Sequence, residues 1–146
     1  MSVSATNTES RATVILAEDD PEFCTLLAFC LYQAGYRVES CKSGIDLLHR
    51  VQAGLDGTEP PIELIVTDIR MPGLTGLEVL EAYCDLPRLP PTICMTAFGD
   101  QETHELAHKL RAAAVLDKPF DIETLLKTAR RLCPPVIHNQ SSRSMS

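Results

Sequence analysis

Residues 62–73 read I-E-L-I-V-T-D-I-R-M-P-G, and their reading decides the fold class. The run from Ile62 to Thr67 is almost continuously apolar, the pattern of a strand covered on both faces rather than on one. It delivers a carboxylate, Asp68, at its C-terminal end. Outward from this segment the same kind of run recurs at Thr13–Ala17, Tyr36–Ser40, Pro91–Thr96 and Ala113–Asp117. Amphipathic stretches separate the runs. Phe23, Leu26, Leu27, Cys30, Leu31 and Ala34 repeat at helical spacing, opened by Asp20 and Pro21 and closed by Gly35. A capping carboxylate, a proline in the first turn and a terminal glycine are separate helix signals. Ile45, Leu48 and Val51 mark a second helix. Thr75 and Glu78 form a capping-box pattern before Leu77 and Leu80. Asp121 precedes the stripe Ile122, Leu125, Leu126, Ala129 and Leu132. Strict strand–helix alternation implies an α/β domain: a parallel sheet with right-handed crossovers and helices on both faces.

Composition narrows the function classes. The chain has 146 residues, 45% of them apolar, enough for one well-buried core. A net charge of −7 supplies no basic face for a nucleic-acid backbone. No apolar run reaches the roughly 18 residues of a membrane span, and residues 1–11 lack the apolar core of a secretory signal. A cytoplasmic location is therefore expected. The six cysteines, at 24, 30, 41, 84, 94 and 133, include no C-x-x-C pair and fall mostly in apolar runs, so they are expected to be reduced core residues. Residues 1–11 and 134–146 read as polar tails around a domain at 12–133. No output domain is legible in so short a chain, which is expected to be a stand-alone regulator or one piece of a longer protein.

In doubly wound sheets ligands bind beyond the carboxyl ends of the strands. Here those ends carry Glu18, Asp19 and Asp20 after the first strand, Asp68 after the third, Thr96 after the fourth and Lys118 after the fifth. Asp20 is spoken for as a helix cap. The remaining acids would repel one another unless a cation sits among them, and hard oxygen donors suit Mg²⁺. The acids are thus expected to tolerate each other through a bound divalent ion, with one carboxylate left ionised as a nucleophile. Thr96 as a hydrogen-bond donor and Lys118 as a point charge complete a set suited to phosphoryl transfer.

At this point the chain resembles the receiver domains of two-component response regulators. The resemblance rests on I-L-A-E-D-D at 15–20, V-T-D-I-R-M-P-G at 66–73, M-T-A at 95–97 and D-K-P-F at 117–120, and spans residues 13–133. It implies a flavodoxin-like, doubly wound sheet of five parallel strands in the order 2-1-3-4-5. It further implies that Asp68 accepts the phosphoryl group and that Mg²⁺ is held by Glu18 (through water), Asp19, Asp68 and the backbone carbonyl of Arg70. Thr96, Ala97 and Lys118 would contact the phosphoryl group or follow its arrival, and Pro119 is a candidate for a cis peptide. The implied partners are a sensor histidine kinase or a histidine phosphotransfer protein. A downstream protein or separate output domain would read the signal, and the chain itself would be a monomer or a weak phosphorylation-dependent dimer. Such a domain assists its own modification and is not an enzyme in the usual sense.

One position departs from the family pattern. Three residues before the lysine many receivers carry an aromatic ring that swings inward on activation; here the residue is Val115, stiff about its one rotatable bond. Arg70 and Phe98, each two residues beyond a site residue, are expected to overhang the pocket and set how fast water removes the phosphoryl group.

Three other readings compete. His104-Glu105-Leu106-Ala107-His108 matches the H-E-x-x-H of zinc peptidases. If Leu106 and Leu110 form the helix's apolar side, both histidines lie roughly 160–200° from Leu106 and face solvent, so the match is expected to be fortuitous. A flavodoxin would place hydroxyls and glycines, not three acids, after its first strand. The last is a receiver-like scaffold that docks partners with little or no phospho-switching; the complete set Asp19, Asp68, Thr96 and Lys118 argues against it, and Val115 argues partly for it.

Overall fold

The computed structural model describes residues 10–71, 73–86, 88–97 and 101–137. Along the chain these form β1 (Ser10–Arg11), β2 (Thr13–Ala17), α1 (Pro21–Gln33), β3 (Arg37–Cys41), α2 (Gly44–Asp56) and β4 (Leu64–Asp68). There follow α3 (Gly76–Tyr83), β5 (Thr92–Thr96), α4 (Gln101–Lys109), β6 (Ala114–Asp117), α5 (Ile122–Leu132) and β7 (Val136–Ile137). Five strands make one parallel sheet in the order β3-β2-β4-β5-β6, which is 2-1-3-4-5 when these five are counted alone. This is the doubly wound, flavodoxin-like sheet expected from the alternation and the resemblance.

Every residue of β2, β4 and β5 is buried, whereas in β3 only Cys41 is buried and in β6 no residue is. Continuous apolar runs thus mark the strands covered on both faces, and broken ones mark the edges. On one face Leu27 and Leu31 of α1 and Leu125 and Ala129 of α5 pack against Val14, Leu16, Val66 and Ile93. On the other, Leu47, Val51 and Val79 cover Ile15 and Ile65, while Leu80 and Ala107 cover Ile69 and Cys94.

The helices start where the sequence says they should. Asp20 Oδ1 accepts hydrogen bonds from the Glu22 and Phe23 amides at 3.1 and 3.4 Å, and Pro21 opens α1. Thr75 and Glu78 form a reciprocal capping box at α3. Gly35 follows α1 at φ +107°, a conformation that side chains with a Cβ rarely adopt. It turns the chain so that Tyr36 enters the core, where its hydroxyl donates to the Cys133 carbonyl at 2.6 Å.

Two expectations need correction. The tails expected at 1–11 and 134–146 are in part structured, because Ser10–Arg11 pairs antiparallel with Val136–Ile137 and the Ala12 amide donates to the Pro135 carbonyl at 2.8 Å. Two-residue strands lie below the length at which periodicity can be read. The face assigned to α4 is also displaced. Ala107 is fully buried while Leu106 is 44% exposed. A methyl side chain lets the helix backbone approach the sheet closely, and a hydropathy wheel weighted toward leucine misses that. His104, three residues before Ala107, consequently turns toward the end of the sheet and not into solvent.

All six cysteines are free, four of them buried. Burial pushes the Cys94 thiol up from 9.0 to about 12. It also raises Cys41, with the Asp46 and Glu39 carboxylates adding, from 9.0 to about 11. Burial, with a smaller push from Cys133, raises the Tyr36 phenol from 10.0 to about 12. Each group keeps its proton in the folded state at a pH where the unfolded chain releases it, so the stability it contributes is complete below about pH 9 and is lost as the pH climbs toward 12. Urea unfolding across this range should show stability falling by up to roughly 1.4 kcal/mol per pH unit for each such group. Cys94→Ala should flatten the slope; an unchanged slope would remove Cys94 from the account.

Candidate functional site

The C-terminal ends of β2 and β4 bring three carboxylates together. One oxygen from each of Glu18, Asp19 and Asp68 lies within 4.8 Å of the others. Glu18 and Asp68 are buried and Asp19 is exposed. The ordering of these acids is local. The Asp20 amide donates to Glu18 Oε2 at 3.1 Å, and the Arg70 amide donates to Asp68 Oδ1 at 3.2 Å. The Glu18 amide donates to the Cys41 carbonyl at 3.1 Å, which fixes the chain as it leaves β2.

Lys118 closes the cluster from β6. Its Nζ donates to Glu18 Oε1 and to Asp68 Oδ2, both at 3.0 Å. The Lys118 amide donates to the Thr96 carbonyl at 2.7 Å, joining the ends of β5 and β6. The Lys118–Pro119 peptide is cis. The lysine thus supplies the cation that holds the two buried acids together. An ammonium stands beside the acids among which a divalent ion is expected.

The charges shift one another in directions that geometry explains. Burial, opposed by hydrogen bonds from Asp20 and Lys118 and reinforced by the Asp68 charge, holds the Glu18 carboxyl above the ordinary range. Burial pulls the Lys118 ammonium down, but its hydrogen bonds to Asp68 and Glu18 outweigh that and hold it above its usual value. The donor set is entirely oxygen and carries more negative than positive charge. It fits a hard divalent cation such as Mg²⁺.

Phe23 belongs to the site although sequence reading placed it in the helix core. Lys118 Nζ stands 5.0 Å from its ring centroid, and Phe120 lies tilted against it with centroids 6.0 Å apart. The Phe23 ring gives the ammonium a cation–π contact. The signal available was the pairing of Asp20-Pro21 with a phenylalanine in the first turn, but nothing in one sequence says which strand end that ring meets. Thr96 is buried at the end of β5, and Ala97 follows it on the surface. Arg70 is exposed beside Asp68. Val115 is not at the site; it packs with Cys94, Ala107 and Ala112. Phe98, expected to overhang the pocket, lies outside the described residues.

α3 positions Asp68 from below. The Gly76 amide donates to the Ile69 carbonyl at 3.0 Å, and a Cβ built on Gly76 would collide with the Asp68 carbonyl and lie 2.9 Å from Thr67 Oγ1. Gly76→Ala should therefore lower stability by about 1–3 kcal/mol, the range for overpacking against groups that cannot yield. Chemical denaturation checks this; a change within about 0.5 kcal/mol, the usual size for a surface substitution, would mean the loop gives way freely.

The family model described as the response regulator receiver domain matches residues 14–130. The chain belongs to this family. The receiver is 32% identical over 118 residues to the transcriptional regulatory protein ZraR of Salmonella typhimurium, covering 81% of this chain and 25% of that protein. It is 30% identical to the regulatory protein VanRB of Enterococcus faecalis, covering 82% of this chain and 51% of that one. The receiver accordingly spans between a quarter and about a half of these longer relatives. Among solved structures, the chemotaxis protein CheY4 of Vibrio cholerae superposes with a TM-score of 0.73 at 28% identity, covering 84% of this chain and 99% of that one. Receiver domains act as phosphoryl-accepting switches in two-component signal transduction, and the acidic cluster that this role uses is present here. Among the described residues no helix is long and apolar enough to cross a membrane.

Proposed function

We propose that Asp68 is the phosphoacceptor of this receiver domain. The carrying observation is that Asp68 is buried at the end of β4 with one carboxylate oxygen held by the Arg70 amide and the other by Lys118, whereas Asp19 is exposed and Glu18, held in the same way by Asp20 and Lys118, has its carboxyl raised above the ordinary range by burial. Glu18, Asp19, Asp68 and the backbone carbonyl of Arg70 would hold Mg²⁺, which, when bound, neutralises charge on the phosphoryl oxygens and on the attacking carboxylate. A carboxylate oxygen of Asp68 attacks phosphorus in line, the phosphorus–nitrogen bond of a phosphohistidine breaks, and the imidazole leaves with its electron pair. Lys118 turns its charge to the phosphoryl oxygens, and the Thr96 hydroxyl donates to one of them. Ala97 begins the segment that follows Thr96.

The donor in this reading is a sensor histidine kinase or a histidine phosphotransfer protein in the cytoplasm. Phosphorylation shifts a pre-existing equilibrium, and a downstream protein or an output domain reads the result. The chain promotes its own modification and turns over no separate substrate. Incubation with acetyl phosphate should add the mass of one phosphoryl group only while Mg²⁺ is present, with a chelator abolishing the gain. Equal labelling with and without metal would overturn the reading.

A further inference from the structure

We infer that His104 and Asp117 form a latch that docks α4 on the end of β6 and restrains the switch, an inference that rests on the reading of Asp68 as phosphoacceptor. His104 Nε2 donates to Asp117 Oδ1 at 2.8 Å, with side chains 26% and 55% exposed. The contact weighs heavily because α4 buries little of its described surface. Among its described side chains only Ala107 is fully buried, and Leu106 is 44% exposed. A helix anchored by one methyl group and a few half-buried side chains belongs to the labile part of a fold.

The position of the pair gives it a role. Asp117 ends β6 in register with Thr96, and the next residue is Lys118, whose amide donates to the Thr96 carbonyl at 2.7 Å. His104 lies near the start of α4, the helix that follows Thr96 in the chain. The latch therefore joins α4 directly to the residue between the two groups assigned to the phosphoryl oxygens. Val115, two residues earlier on the same strand, is locked into the cluster of Cys94, Ala107 and Ala112 and has no ring to swing. The polar pair gives movement at Thr96 and Lys118 a direct path to α4.

A partly exposed polar pair of this kind shifts a two-state equilibrium by about two- to fivefold. Amide exchange in α4 of the unmodified protein should accelerate by about that factor in His104→Ala and in Asp117→Asn, with the double variant no faster than either and α5 unmoved. Unaltered exchange in α4, or strictly additive effects, would overturn the latch. With Mg²⁺ and acetyl phosphate the same variants should gain the phosphoryl group about two- to fivefold faster than the parent, because more of the protein occupies the receptive form. His104→Gln, which keeps a donor at similar reach, should return part of the parental rate. Equal labelling rates in the parent and all of the variants would overturn the latch and leave Asp68 standing. No labelling in any of them would overturn the Asp68 reading and, with it, the latch's regulatory role.

Discussion

Lys118→Ala is expected to lower the unfolding free energy in metal-free buffer by about 2–4 kcal/mol, a little under the usual cost of breaking a buried ion pair because the lysine is not fully enclosed. The lysine side chain is 22% exposed, while those of its partners Glu18 and Asp68 are 1% and 9% exposed. Without the ammonium, two buried carboxylates face each other across one cavity. Glu18, whose proton affinity burial already raises, takes up a proton to relieve them. The ammonium's contact with the Phe23 ring is lost as well. Addition of Mg²⁺ should restore more stability to the variant than it adds to the parent, since the variant's carboxylates have no ammonium to compete with the ion. Urea midpoints measured with and without Mg²⁺ settle both halves. A variant within about 0.5 kcal/mol of the parent would show that Lys118 is not what holds the acids together.

Asp68→Asn should abolish phosphoryl gain altogether. A neutral amide is no nucleophile toward phosphorus, and neither neighbouring acid is placed to substitute. Asp19 is exposed, and Glu18 is buried with its carboxyl held above the ordinary range. The asparagine variant keeps the Lys118–Glu18 pair, so loss of labelling would not come with loss of the fold. Intact mass after incubation with Mg²⁺ and acetyl phosphate is the measurement. Labelling that survives in Asp68→Asn, transferred to Asp19 or elsewhere, would show that the chemistry belongs to the cluster and not to this residue.

These two substitutions act on a site whose parts, though not their mutual arrangement, are legible in the sequence. Glu18, Asp68, Thr96 and Lys118 each follow an apolar run, and the rule that ligands sit beyond strand ends collects them before any coordinate is known. The family pattern then supplies strand order, which periodicity does not contain: a run such as Val14–Ala17 looks the same beside any neighbour. What the sequence could not convey is how closely the lysine approaches the two buried acids. Lys118 lies 50 residues from Asp68 and 100 from Glu18, and only the closing of β6 against β5 places its ammonium between them. Phe23 escaped for the same reason, its ring being assigned to a core stripe until the lysine was set against it.

The sequence alone determined the layers of this protein, because burial on one face or two leaves a period in the residues themselves. It determined the helix starts, since Asp20, Thr75 and Glu78 cap backbone amides within three positions of their own. Tertiary structure alone decided whatever turns on close approach or on charges distant in the chain. Ala107 outranks Leu106 as the anchor of α4 because size, not hydropathy, sets how near a helix can come to a sheet. The pairing of Ser10–Arg11 with Val136–Ile137 and the meeting of His104 with Asp117 join residues that no local signal connects, and only the folded chain makes them neighbours.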